Sequence, residues 1–215
     1  MKAAIFDMDG LIIDSEPLWR LAERAAFAGV GLDLTDDDCR RTTGLRSDEV
    51  IGYWFARHPW TGISQEDVVR DLEIRVADLI SARGAALPGV FDAIGCLRDA
   101  GLRLALASSS SHDLIRVVLA ALGMEDTFEV LSSGADEVRG KPDPAVYLTT
   151  VRRLGLPAGE CLAFEDSTAG VQAAHAAGLF VVAVPAAADF DDPRFDRADL
   201  KLHSLVDFTL SNLDP

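Results

Sequence analysis

Lysine is nearly missing from this chain: Lys2, Lys141 and Lys201 stand against 17 arginines in 215 residues. A lysine in the loop Gly140-Lys141-Pro142 therefore departs from the habitual choice of base and places a compact point charge there. Positive charge as a whole is scarce, with 20 basic against 35 acidic residues and a formal net charge of -15. Such a field repels nucleic acid and anionic membrane, so neither is an expected partner, and an anionic small substrate needs cations of its own site. Cysteine is sparse too. Cys39, Cys96 and Cys161 are odd in number and lack paired metal-ligand spacing, which excludes a disulfide framework or zinc site and reads as buried, inert thiols. No uncharged apolar run reaches membrane-spanning length, and the run before Asp7 is too short for a signal-peptide core. The expectation is a cytoplasmic monomer.

What the chain does have is a hydrophobic fraction of 49%, enough to bury the core of one domain with a sizeable insertion. Residues 3–6, AAIF, read as a buried strand. From 15 to 84 no strand is convincing. SEPLWRLAERAAFAG opens with Ser15 as a candidate N-cap, SDEVIGYWFARH puts Val50, Ile51, Trp54 and Phe55 on one face, and Val68, Leu72, Val76 and Leu79 recur at helical spacing. From Leu87 onward helices and strands alternate: LRLALAS, FEVL, ECLAFED and LFVVAVP as strands, with amphipathic segments between them. The expected architecture is α/β, a parallel sheet with helices on both faces, formed by residues 1–14 and 85–215 and interrupted by an all-helical insertion over 15–84. AAADFDDPRFDRAD is expected to be a polar surface loop.

In an open parallel sheet the ligand sits beyond the carboxyl ends of the strands. Those ends supply Asp7 and Asp9 after the first strand, Ser108 and Ser109 after LRLALA, Glu165 and Asp166 after ECLAF, and Lys141 in the loop following FEVL. The Asp-x-Asp pattern alone carries no weight. It also occurs at Asp36/Asp38 and Asp189/Asp191, about as often as 25 aspartates produce by chance. Only Asp7/Asp9 follows a buried strand and precedes a turn glycine, Gly10. Facing carboxylate clusters repel unless a cation lies between them, and Mg²⁺ suits a few carboxylates plus phosphate oxygens. Ser108 and Lys141 fit a phosphate. Asp7 then reads as a nucleophile on phosphorus, and Asp9 as the acid that protonates the leaving alkoxide and later deprotonates water.

DMDGLIIDSE, the Ser108 strand end, the GKPDP loop and the FEDS stretch, in that order, resemble the haloacid dehalogenase superfamily. FDMDGLIIDSEPLW, TGLR, YWFARHPW and LPGV resemble its β-phosphoglucomutase-like subgroup, and there the phosphatases of hexitol phosphates and 2-deoxyglucose 6-phosphate. The resemblance implies a Rossmann-like catalytic core (1–14 and 85–215) with a helical cap (15–84), and a Mg²⁺-dependent phosphatase of sugar or hexitol phosphates working through an aspartyl-phosphate. It also implies metal ligation by Asp7, the Asp9 carbonyl and Asp166, with Glu165 in or just behind that shell, and phosphate contact by Ser108, Ser109 and Lys141. Phosphonate hydrolysis needs a cap lysine, which this chain lacks, and the metal-free dehalogenases lack the second aspartate. The alternatives are a β-phosphoglucomutase-type mutase, against which Trp19 stands in place of the mutase histidine, and a non-catalytic phosphometabolite-binding protein. In the cap, Trp19 and Arg46 are the candidate specificity residues, Trp54 and Phe55 read as packing aromatics, and His58 and His175 as structural or surface residues.

Overall fold

The computed structural model describes residues 1–213. The first strand, β1 (Ala3–Phe6), is wholly buried, and after it the chain makes four helices in a row: α1 (Glu16–Ala28), α2 (Asp36–Cys39), α3 (Ser47–Arg57) and α4 (Gln65–Arg83). Alternation then sets in, with α5 (Val90–Asp99), β2 (Arg103–Ser108), α6 (His112–Leu122), β3 (Val130–Ser133), α7 (Ala145–Leu154), β4 (Cys161–Glu165), α8 (Thr168–Ala176), β5 (Phe180–Ala183) and a short β6 (Leu200–Lys201). All six strands are parallel, in the order β3-β2-β1-β4-β5-β6. This is the doubly wound, Rossmann-like sheet that the alternation predicts.

Two cores flank the sheet, as its two-faced strands require. One face gathers Phe6, Leu106 and Phe164 with α5 and α6 and runs on into the helical insertion through Ile51, Leu72 and Ile80. The other packs Ile5, Ala105, Ala163 and Val181 against α7 and α8. In the insertion, Phe27, Trp54 and Trp60 meet edge-on at 6.1–6.3 Å, so Trp54 is a packing aromatic, with Phe55 against Trp60. His58 and His175 are exposed.

Three details differ from the expectation. FEVL is shifted: β3 starts at Val130 and ends in Ser132 and Ser133, because its partner β2 extends to Ser108 and pulls the register with it. The 186–199 segment is not simply a polar loop, since Phe195 is buried beneath it and 3-10 turns fold it back onto α8 before β6. Cys96 is partly exposed, unlike buried Cys39 and Cys161. The two other Asp-x-Asp triplets prove ordinary. Asp38 caps α2 by exchanging hydrogen bonds with Thr35, and Asp189/Asp191 lie exposed.

Candidate active site

Strand order decides what meets what. β1 lies between β2 and β4, so the chain leaves it at the switch point where neighbouring connections turn to opposite faces of the sheet. In register, Phe6 pairs with Leu106 and Phe164, which sets Asp7 beside the last residues of β2 and β4. Asp7, Asp9, Ser108, Ser109, Lys141 and Asp166 thereby line one cavity, together with Ser110, Ser167 and a wall from α1 and the 39–50 segment. Its empty space is about 620 Å³ with the mouth included. Glu165 lies behind this surface, fully buried.

Lys141 is the buried cation of this arrangement. Its Nζ donates to Asp7 Oδ1 at 2.5 Å, to Glu165 Oε1 at 2.6 Å and to the Ala107 carbonyl at 3.2 Å. Burial works against the ammonium, but the charges of Asp7 and Glu165 outweigh it and hold its pKa above the ordinary lysine value. Burial likewise pushes the Asp7 carboxyl up to about 7, with Glu165 and Asp9 adding to the rise and Lys141 opposing it. Asp166 is raised well above the usual carboxylate range for the same first reason, with Asp7 and Glu165 next.

Asp9 differs from Asp7 in its surroundings. Its carboxylate accepts from Ser15 Oγ at 2.7 Å and Trp19 Nε1 at 2.9 Å on Oδ1, and from Ser110 Oγ at 2.7 Å on Oδ2. These donors come from both sides of the cavity, so the group is fixed in direction. Glu165 divides its oxygens: Oε1 accepts from Lys141 and from Tyr147 OH at 2.5 Å, Oε2 from Ser167 Oγ at 3.3 Å. Ser15 stands at the N-cap position of α1 as expected, but its side chain makes no capping bond and serves Asp9 instead; Ser110 and Tyr147 carry no motif in the sequence. Tyr147 was the readable one, a phenol on the buried face of an amphipathic helix, where its hydroxyl needs a partner.

Oxygens of Asp7, Glu165 and Asp166 lie within 4.8 Å of one another, and Asp166 Oδ1 is buried without a hydrogen-bond partner among the described residues. One lysine does not neutralise three clustered carboxylates, so this hard, all-oxygen donor set fits a divalent cation of the Mg²⁺ type. The Asp9 side chain stands outside the cluster, turned toward Ser15, Trp19 and Ser110.

Close approach explains two glycines. A Cβ on Gly10, which has φ +77°, would lie 2.1 Å from Asp166 Oδ2, and one on Gly170 would lie 2.0 Å from the Glu165 carboxylate. Gly10→Ala is expected to push Asp166 aside and lower turnover by roughly 10²-fold, the cost of displacing a group at the site by about 1 Å. Gly31→Ala is the control for backbone strain alone, since φ there is +82° and nothing lies within 4 Å of the added carbon. Equal activity losses in the two variants would refute the argument from close approach.

Ser108 Oγ is turned inward and accepts from the Ser110 N–H at 3.1 Å, while Ser109 Oγ donates to the Gly44 carbonyl of the insertion at 3.0 Å. Trp19 lines the cavity. Arg46 does not. Its guanidinium donates to the carbonyls of Gly134 (3.1 Å) and Glu137 (2.7 Å) and pairs with Asp48, while Glu49 accepts from the Gly140 N–H at 3.1 Å. The expectation that Arg46 reads the sugar is corrected accordingly. It clasps the loop that carries Lys141, because a cation at the start of α3 meets the carbonyls of that loop.

Residues 1–178 match the haloacid dehalogenase-like hydrolase family. The chain belongs to that family. This hydrolase is 41% identical to hexitol phosphatase B of Escherichia coli (strain K12) over 212 residues, covering 98% of this chain and 96% of that one. It is 32% identical to the phosphorylated carbohydrates phosphatase of Thermotoga maritima, covering 83% of this chain and 82% of that one. The structure of CbbY from Rhodobacter sphaeroides in complex with phosphate superposes with a TM-score of 0.91 at 29% identity, over 100% of both chains. A β-phosphoglucomutase from Clostridium difficile shares the fold at a TM-score of 0.86 and 22% identity, over 99% of this chain and 95% of that one. Among the described residues no helix is long and apolar enough to cross a membrane.

Proposed function

We propose that this hydrolase is a Mg²⁺-dependent phosphatase of small sugar or hexitol phosphates, 2-deoxyglucose 6-phosphate among them. The observation that carries the reading is the unequal treatment of two neighbouring aspartates: Asp7 is buried against a lysine, and Asp9 is aimed by three donors. The names of the 41% and 32% identical relatives support the substrate class.

Asp7 attacks phosphorus through its free oxygen, the P–O bond to the sugar breaks, and Asp9 delivers a proton to the departing alkoxide. Asp9 then takes a proton from water as that water attacks phosphorus, returning Asp7 and releasing inorganic phosphate. Lys141, the Ser108 hydroxyl and Ser109 through its backbone N–H meet the phosphate oxygens and the charge that builds on them. Asp7, Asp166 and the Asp9 carbonyl would hold the metal, backed by Glu165, and the bound ion supplies further neutralisation of the transferring group. Glu165 and Tyr147 position Lys141. The insertion acts as a cap over this chemistry: Trp19 joins it to Asp9, and Arg46, Glu49 and Gly44 tie it to the core loops.

A phosphate-release screen over hexose and hexitol phosphates, with Mg²⁺ and with chelator, tests the reading. The expected result is stoichiometric inorganic phosphate that disappears with chelation. Full activity in chelator would refute the metal, and glucose 1-phosphate passing to glucose 6-phosphate faster than phosphate appears would mark a mutase.

A further inference from the structure

One wall of the cavity is a single face of α1. Glu16, Trp19, Arg20 and Glu23 recur at three- and four-residue spacing, and all four line the cavity. Three of them are occupied: Trp19 donates to Asp9, and Arg20 Nη1 donates to Glu16 Oε2 at 3.3 Å. Glu23 is not. It is only 6% exposed, yet its Oε2 is fully enclosed and has no hydrogen-bond partner among the described residues. The Cys39 thiol beside it is a weak donor, and burial pushes the carboxyl up to about 7, with Glu16 adding to the rise and Cys39 and Arg20 opposing it. A buried acceptor left unmade is a cost to folding that a leucine at this position would avoid. The position also has a defined depth. Glu23 stands one helical turn beyond Trp19, about 6 Å along the axis, and Trp19 is in contact with the proton-transferring Asp9.

We propose that Glu23 is a substrate-specificity residue whose carboxylate, in the wall of the cavity, accepts a hydrogen bond from a hydroxyl at the end of the polyol chain remote from the phosphate. The proposal rests on the sugar-phosphate reading above and adds to it which residue reads the sugar. Two consequences separate it from a merely structural acid. A site built to accept from a hydroxyl rejects analogues without one, since the acceptor is then left unpaired. A carboxyl enclosed at the far end also rejects a second anionic group there, so bisphosphates and phosphorylated sugar acids are disfavoured.

The test compares kcat/KM for sorbitol 6-phosphate with that for p-nitrophenyl phosphate, which has no hydroxyl to offer, in the wild type, Glu23→Gln and Glu23→Leu. The ratio is expected to fall about 10- to 100-fold in Glu23→Leu, the range for losing a hydrogen bond to a charged group. Glu23→Gln, which keeps an oxygen acceptor and the shape, should fall less. In both variants 6-phosphogluconate should gain relative to sorbitol 6-phosphate. An unchanged ratio, or equal losses on both substrates in a variant with the wild-type melting temperature, would overturn the assignment. If Glu23→Leu does not fold, the ratio and the 6-phosphogluconate gain in Glu23→Gln decide. Failure of the wider reading is visible in the wild type alone, as turnover of p-nitrophenyl phosphate with none of any hexose or hexitol phosphate, and it would remove the proposal with it.

Discussion

Asp7→Asn is expected to lower phosphate release by roughly 10⁴-fold or more, because an amide oxygen of the same shape is a poor nucleophile and the later steps have no covalent intermediate to act on. The same substitution should not lower the melting temperature at pH 8. Folding raises the Asp7 pKa from 3.8 to about 7, so the folded state holds the proton more tightly than the unfolded chain. Ionised Asp7 therefore opposes folding increasingly as pH climbs between those values, and a neutral amide removes that opposition. Loss of turnover with unchanged or higher thermal stability separates chemistry from architecture. In the wild type, rapid acid quenching during turnover should leave a phosphoryl adduct on the peptide that contains Asp7. Substantial residual turnover in Asp7→Asn, or an adduct on another peptide, would remove Asp7 from the nucleophile's role.

Lys141→Ala is expected to damage both stability and activity. The side chain is 2% exposed and sits between Asp7 and Glu165, and deleting one member of a buried ionic cluster costs roughly 3–5 kcal/mol because the others are left without a countercharge. For a chain of this size that is a fall of roughly 6–20 °C in melting temperature. The loss has a pH signature. Lys141 is the group that pulls the Asp7 pKa down, so without it Asp7 rises further and stays protonated over more of the neutral range. The gap between wild type and variant is then smaller near pH 4–5, where Asp7 is protonated in both and the contact with Glu165 alone is lost, and widens toward pH 8. On phosphomonoesters, KM should rise and kcat should fall together, since the same ammonium meets the phosphate in the ground and transition states. A variant as stable and as active as the wild type at pH 8 would make Lys141 an ordinary loop residue.

The core of the site was legible because each of its members follows a strand whose ending the sequence announces. Ala3–Phe6, Arg103–Ser108 and Cys161–Glu165 are short apolar runs closed by polar residues, and parallel pairing carries those endings to one edge. Lys141 was legible by its rarity. The supporting residues were not, and the reason is physical. Ser110 and Ser15 reach Asp9 from 101 and 6 residues away, and only the folded backbone brings their hydroxyls within 2.7 Å. Arg46 was misread for a similar reason. The direction of its side chain is set by the carbonyls of Gly134 and Glu137, 88 and 91 residues further along. Glu23 gave no signal at all, because one acidic residue on an amphipathic helix reads as part of its solvated face until the opposite wall is in place.

The pairing of β1 has a consequence for how the enzyme comes into being. Asp7 is among the first residues to be synthesised, yet its hydrogen-bonding partner Lys141 is 134 residues away, and β4, which completes the sheet beside it, ends at Glu165. A nascent or truncated chain can hold the insertion's helices by local contacts and still carry Asp7 with no lysine or acidic partner around it. Contacts so distant in sequence close late, after the entropy of long loops has been overcome. Catalytic turnover is thus a reporter of the finished sheet, and a protease nick between β3 and α7 should silence the enzyme while much of its helical signal survives.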